Sequence, residues 1–189
     1  MPADDPNCPD PDAELVRRVR RGDDSAFSTL VDRHGGRLLG LATSLLGNGA
    51  DAEDIVQETF AGAFRGLRGF RGRSSIRTWL TRILVKQVAR HRRYRRIRRF
   101  LSLEQAAGEG GAAASGAPDA TAEADVRMDV TAVLARLSED HRNVVVLREM
   151  QAMSYDEIVE VLGVPTGTVE SRLFRARQRL KELLRDYLP

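Results

Sequence analysis

Between Glu104 and Ala124 the chain carries no large apolar side chain; Ala, Gly, Ser, Thr and Pro alternate there with a few carboxylates. Such a stretch has nothing to bury and is expected to behave as a flexible, mildly acidic linker. It divides the 189 residues into a front and a rear unit, each with its own small core. Apolar residues recur at helical spacing on both sides, and no segment alternates with period two. The expected fold class is therefore all-α: two small helical domains joined by a flexible linker, with the C-terminal domain a helix-turn-helix. The expected boundaries are a disordered Pro/Asp tail over 1–12, a front domain over 13–100, the linker over 101–124 and a rear domain over 125–189.

In the front domain Leu15, Val16 and Val19 start a helix that Gly22 stops. A second helix fits Asp24 to His34, and a third fits Arg37 to Leu46, closed by Gly47-Asn48-Gly49. A fourth is expected to open at Asp51, an N-cap residue, with Glu53 and Asp54 where the helix dipole favours anions. Val56, Phe60, Ala63, Phe64 and Leu67 form its stripe. After a loop marked by Gly66, Gly69 and Gly72, a fifth helix is expected from about Ser74 to Phe100. Its buried side is Ile76, Leu80, Ile83 and Leu84, with Trp79 at the edge; Thr78, Arg82, Val85, Lys86, Ala89 and Arg93 share the other side.

Charge is distributed as unevenly as polarity. The formal net charge is only +3, yet residues 61–100 hold 14 cations and no carboxylate, while the segments on either side are net acidic. A block of that density points to a polyanion, with binding that falls steeply as salt rises. The plainer reading is a solvated charge run. The three loop glycines suggest a phosphate loop, but they lack the Gly-Lys-Ser/Thr ending and follow no strand.

The rear domain opens with Val126, Val130, Val133, Leu134 and Leu137 on one face, then a denser run, Val144 to Leu147. Ser154-Tyr155-Asp156-Glu157 is a capping box, Ile158, Val161 and Leu162 follow, and Gly163 supplies a stop. Val164 to Thr168 turns the chain into a second helix, with Val169, Leu173, Ala176 and Leu180 facing inward. Two short helices with a tight Gly-containing turn are the helix-turn-helix arrangement. At about 100° per residue, Ser171, Phe174, Arg175 and Gln178 fall opposite the apolar stripe. In a helix-turn-helix that face enters the major groove. Arg reads guanine bidentately and Ser reaches base or phosphate, while Arg172, Arg177 and Arg179 flank the face and suit phosphates. The same residues also fit a solvated basic helix in an ordinary bundle.

Other function classes find little support. No apolar run approaches the ~20 residues of a membrane span. The acidic start, Met1 to Asp12, is not expected to act as a secretory signal. One cysteine, Cys8, allows no internal disulfide, and His34, His91 and His141 have no ligand spacing. No nucleophile–base pair is visible, so neither enzyme chemistry nor a small-molecule substrate is expected. A soluble protein of a reducing compartment, the cytoplasm, is the expectation, with no cofactor and no metal.

Three stretches resemble the extracytoplasmic-function (ECF) group of bacterial sigma factors. They are Asp51-Ala52-Glu53-Asp54-Ile55-Val56-Gln57-Glu58-Thr59-Phe60; Phe70-Arg71-Gly72 with Thr78-Trp79-Leu80-Thr81-Arg82-Ile83; and Leu147-Arg148, Met153 to Ile158 and Gly163 to Arg177. They occur in the family's order, across a linker of typical length. The resemblance implies a factor that binds core RNA polymerase and directs it to promoters. It implies polymerase contacts at Asp51, Asp54, Gln57 and Glu58. It implies recognition and melting of the −10 element by Phe70, Arg71, Arg77, Trp79, Arg82, Lys86, Arg90 and Arg93. Arg148, Thr168, Glu170, Ser171, Arg172, Phe174, Arg175 and Gln178 are implied on −35 DNA. An anti-sigma partner is implied as well, and nucleotide chemistry is left to the polymerase.

The chain departs from the pattern at Lys86, where many relatives carry Asn, near Arg90, where they carry Asp or Asn, and at Glu170, where a basic residue is common. Base preference at those positions is not carried over from the family. A helix-turn-helix regulator that does not act as sigma is the alternative; it leaves the acidic helix and the Trp79 segment without a role.

Overall fold

The computed structural model describes the backbone of residues 12–108 and 130–185 and the side chains of 12–100 and 130–185. Cys8 and Val126 lie outside the described residues. The first helix, α1, is Ala13–Arg20. Asp12, which composition places in the tail, is only 3 % exposed. It accepts from Arg33 and lies 2.7 Å from His34 Nε2, so it anchors α1 on the following helix.

That helix, α2, is one continuous run from Asp24 to Leu46 rather than two. The Gly35-Gly36 pair does not break it because Leu30, His34, Leu38, Leu41 and Leu45 form one buried stripe straight through it. Each glycine costs about 1 kcal/mol in a helix interior, against about 1.5–3 kcal/mol for each leucine fully buried. Gly47 is the actual stop, in the left-handed region at φ 75°. The next helix, α3, is Gly49–Gly66, and its N-cap is Asn48, not Asp51: the Asn48 side chain accepts from the Ala50 N–H at 3.1 Å. After a 3-10 turn at Leu67–Gly69, α4 runs from Ile76 to Gly108. It therefore continues eight residues past Phe100, into the stretch expected to be linker. Helices α1 to α4 pack on one another around the α2 stripe, Ile55, Phe60, Leu80 and Leu84.

The rear helices are α5 (Val130–Ala135), α6 (Glu139–Val145), α7 (Tyr155–Leu162) and α8 (Thr166–Leu183). A π-helical turn, Val146–Met150, follows α6 directly, and Val144 to Leu147 are all buried. The Ser154–Glu157 capping box forms in full, and Gly163 adopts φ 67° to end α7. Among the described residues no helix is long and apolar enough to cross a membrane, and no group of three His, Cys, Asp or Glu could hold a metal.

The two halves touch. α7 packs on α4, and α5 and the π-helical turn pack on α2. Thr78 and Val85, expected on the open side of α4, are buried there. α4 thus has two covered faces: one on α2 and α3, the other on α7. Arg142 staples the halves together, donating to the Leu45 carbonyl at 2.9 Å and to those of Leu134, Ala135 and Leu137.

Candidate polymerase and nucleic-acid interfaces

The α8 helix is held by Val169, Leu173, Ala176 and Leu183, which are buried against the rear bundle. That fixes its outer face. Ser171, Phe174, Arg175 and Gln178 are exposed together, and the Phe174 ring is 65 % exposed. Pro165 at the N-cap offers no side-chain acceptor. The first N–H groups of α8 are left for solvent or an anion. Thr168 is half-buried at this end, Glu170 is exposed, and the Ser171 hydroxyl donates to the Thr168 carbonyl at 3.1 Å. Two arginines singled out from sequence are engaged within the domain. Arg172 pairs with Asp140 at 2.7 Å. Arg148 donates to the Met153 carbonyl at 2.7 Å and stacks over the Tyr155 ring. Arg148 thereby fixes the turn that leads into the helix-turn-helix.

On α3, burial of Ala52, Ile55, Thr59 and Ala63 turns Asp54, Gln57 and Glu58 outward as a group. Asp51 stands apart. It is half-buried, and its Oδ2 accepts from Arg95 at 2.7 Å and lies 3.4 Å from His91 Nε2. Along α4, Arg82, Lys86, Arg90 and Arg93 are exposed, and Arg71 is exposed in the loop before it. At about 100° per residue those four α4 cations share one side of the helix. The aromatic pair behaves differently. Phe70 is 8 % exposed and packs on Trp79 with ring centroids 5.1 Å apart, so this arrangement offers the Phe70 ring to no base. Arg77 is turned toward the rear domain and donates to the Gln151 carbonyl.

A family model described as Sigma-70 region 2 matches residues 30–98, and one described as Sigma-70, region 4 matches residues 127–180. The chain is 35% identical over 184 residues to the RNA polymerase sigma-H factor of Pseudomonas aeruginosa, which covers 94% of this chain and 95% of that one. It is 37% identical over 177 residues to the ECF RNA polymerase sigma-E factor of Escherichia coli, covering 89% of this chain and 92% of that one. The chain belongs to the extracytoplasmic-function sigma factors. Among solved structures it is similar to CnrH in complex with the cytosolic domain of CnrY, with a TM-score of 0.69 and 31% identity over 93% of this chain and 97% of that one. It is also similar to the sigma factor RpoE in complex with the anti-sigma factor NepR from Bartonella quintana, with a TM-score of 0.62 and 29% identity over 84% of this chain and 96% of that one.

In this sigma factor the structure also brings together residues that sequence reasoning passed over. Arg37 on α2 donates to Gln151 Oε1 at 2.9 Å and to Thr81 Oγ1 at 3.1 Å, across the contact between the halves. Thr78 donates to Glu157 Oε1 at 2.7 Å, which gives the capping-box glutamate a second partner on the front domain. Arg92 donates to the Leu45 carbonyl and lies 3.8 Å from Glu139; Arg96 lies 3.6 Å from the same carboxylate. No periodicity announces such pairs, because the partners are far apart in sequence.

Proposed function

We propose that this ECF sigma factor docks on core RNA polymerase through the outward face of α3, with Asp54, Gln57 and Glu58 as the contacting side chains. The rear domain reads the −35 element as duplex through Ser171, Phe174, Arg175 and Gln178, with Thr168 and Glu170 at the entering end of the helix. The exposed cations of α4, Arg82, Lys86, Arg90 and Arg93, with Arg71, follow the backbone of the −10 element. Opening that element takes a base out of the stack, which costs a few kcal/mol and requires cationic backbone contacts nearby. Phe70 and Trp79 join this surface after the halves separate. The chain acts in the cytoplasm beside the polymerase and performs no nucleotide chemistry itself. An anti-sigma protein is its expected regulator.

The observation that carries this reading is the outward face of α8. Four side chains suited to base and phosphate contact are exposed together on a helix whose opposite side packs on the rear bundle. A regulator that is not a sigma factor would need that face too, but would leave Asp54, Gln57 and Glu58 without a partner. Run-off transcription with core polymerase over genomic fragments, mapping transcript 5′ ends, tests it. Promoter-specific starts that share a −35 and a −10 sequence are expected. Starts identical to those of core polymerase alone would refute the assignment.

A further inference from the structure

The contact between α4 and α7 encloses two arginines. Arg77 donates to the Gln151 carbonyl. Arg37 donates to Gln151 Oε1 at 2.9 Å, Thr81 Oγ1 at 3.1 Å and the Arg77 carbonyl at 3.4 Å. These acceptors are neutral. The carboxylate acting on Arg37 is Glu157, and its two oxygens already accept from Thr78 and from the Ser154 N–H. The Nε atoms of both Arg37 and Arg77 are buried and have no hydrogen-bond partner. Burial, reinforced by the neighbouring Arg77 charge, pulls the Arg37 guanidinium down to about 10. Buried donors are nearly always paired, so two orphan Nε atoms at one contact mark a pair of cations whose donors the closed chain does not fully use.

The cover over this site is itself strained. Ala152, next to Gln151, has φ 51°, a conformation that disfavours any residue with a Cβ. The π-helical turn Val146–Met150 delivers the chain to that point, and such turns gather at functional positions. Gln151 therefore sits on the arginines with neutral oxygens only, while Glu157 acts on Arg37 through its charge without a direct bond.

We propose that Arg37 and Arg77 form a phosphate-binding site on the front domain, covered by Gln151 in the closed chain, which takes a backbone phosphate of promoter DNA when the rear domain moves away; Thr81 orients Arg37 by accepting from it. Two planar guanidiniums match the several oxygens of a phosphodiester. The site lies on α4, the helix that carries Arg82 and Lys86. It rests on the reading of α4 as the −10 surface and extends that surface to Arg37 on α2.

The experiment is binding of holoenzyme, assembled from core polymerase and full-length chain, to fluorescent fork-junction promoter DNA across a salt series. Arg37→Gln is expected to weaken binding about tenfold and to lower the log–log salt slope by about 0.9, the share of one phosphate. If Arg37 serves the closed contact alone, Arg37→Gln loosens that contact and leaves DNA binding equal or tighter; that result overturns the proposal. Gln151→Ala removes the side-chain cover from Arg37 and leaves both arginines, and the backbone carbonyl that Arg77 uses, in place. It is expected to tighten binding of the free chain to −10 strand DNA severalfold, and unchanged binding overturns the proposal even where Arg37→Gln fails to fold. Competition by polyglutamate as effective as that by DNA would assign the site to an acidic protein and also overturns it. Wild-type holoenzyme with no preference for promoter over scrambled DNA would instead refute the sigma reading.

Discussion

Glu157 holds two structures together, and its removal separates their contributions. One oxygen accepts from the Ser154 N–H at 2.9 Å and closes the capping box of α7. The other accepts from Thr78, 1 % exposed, at 2.7 Å across the domain contact. The capping half is worth about 0.5–1 kcal/mol, because the Ser154 hydroxyl still accepts from the residue 157 N–H after substitution. A hydrogen bond to an ionised acceptor contributes about 1.5–3 kcal/mol. The lower end applies here, since the Thr78 hydroxyl keeps its contact with Ser75 Oγ at 2.9 Å. Glu157→Ala is therefore expected to cost about 2–2.5 kcal/mol in urea denaturation of the full chain. Ser154→Ala, which leaves the cross-domain bond in place, is expected to cost about 1 kcal/mol. The decisive measurement is the double-mutant cycle of Thr78→Val with Glu157→Ala. A coupling energy of about 1–2 kcal/mol is expected for two side chains in direct contact. Coupling below about 0.3 kcal/mol would mean that this bond does not hold the halves together, leaving that role to Arg142 and Arg37.

Four further outcomes follow from the packing. Reversing Asp54 and Glu58 to Lys, both exposed, should abolish co-purification with core polymerase while leaving the circular dichroism spectrum unchanged. Arg175→Ala should weaken binding to a cognate −35 duplex by about 1–3 kcal/mol in a fluorescence anisotropy titration, with little change in thermal stability. Leu147→Ala, in the fully buried run before the helix-turn-helix, should destabilise the chain by about 2–5 kcal/mol in the same urea assay. Asp23 caps α2 and is held down to about 2, first by Ser25 and then by Arg18. A depressed carboxylate contributes stability above its unfolded value, so stability should fall as pH drops from about 4 towards 2, and Asp23→Asn should flatten that slope in acid titrations.

The helix-turn-helix was legible because its signals are local. Ser154 and Glu157 stand three residues apart, Gly163 stands where a left-handed residue ends α7, and the inward and outward sides of α8 follow from the helical repeat. The face of α3 was legible for the same reason. Local signals misled at Gly35-Gly36, where the buried leucines of α2 outweigh two helix-weakening residues. They also misled at Asp51, because Asn48 supplies the cap. What sequence could not show is the second covered face of α4. Thr78 meets Glu157 and Arg37 meets Gln151 only through tertiary packing. A helix that buries two faces has no clean amphipathic period to read.

The arginine content takes on a different meaning once these contacts are counted. Only Lys86 and Lys181 are lysines among 30 cations. The long-range field of a polyanion would accept either residue. The contacts in the closed chain would not. Arg142 reaches carbonyls on both sides of the domain boundary with three nitrogens, and Arg37 spans Gln151, Thr81 and a carbonyl at once. A compact ammonium has neither the reach nor the fork to do this. Within the basic block, Arg77, Arg92, Arg95 and Arg96 are already engaged by the chain's own carbonyls and carboxylates, while Arg82, Lys86, Arg90 and Arg93 face outward. The charge that the closed chain presents outward is thus smaller than the block's total. Separation of the halves frees Arg77, and with it Arg92 and Arg96 from Glu139. Salt dependence should accordingly be steeper for the opened holoenzyme than for the free chain, because more guanidiniums then replace counterions on the phosphates.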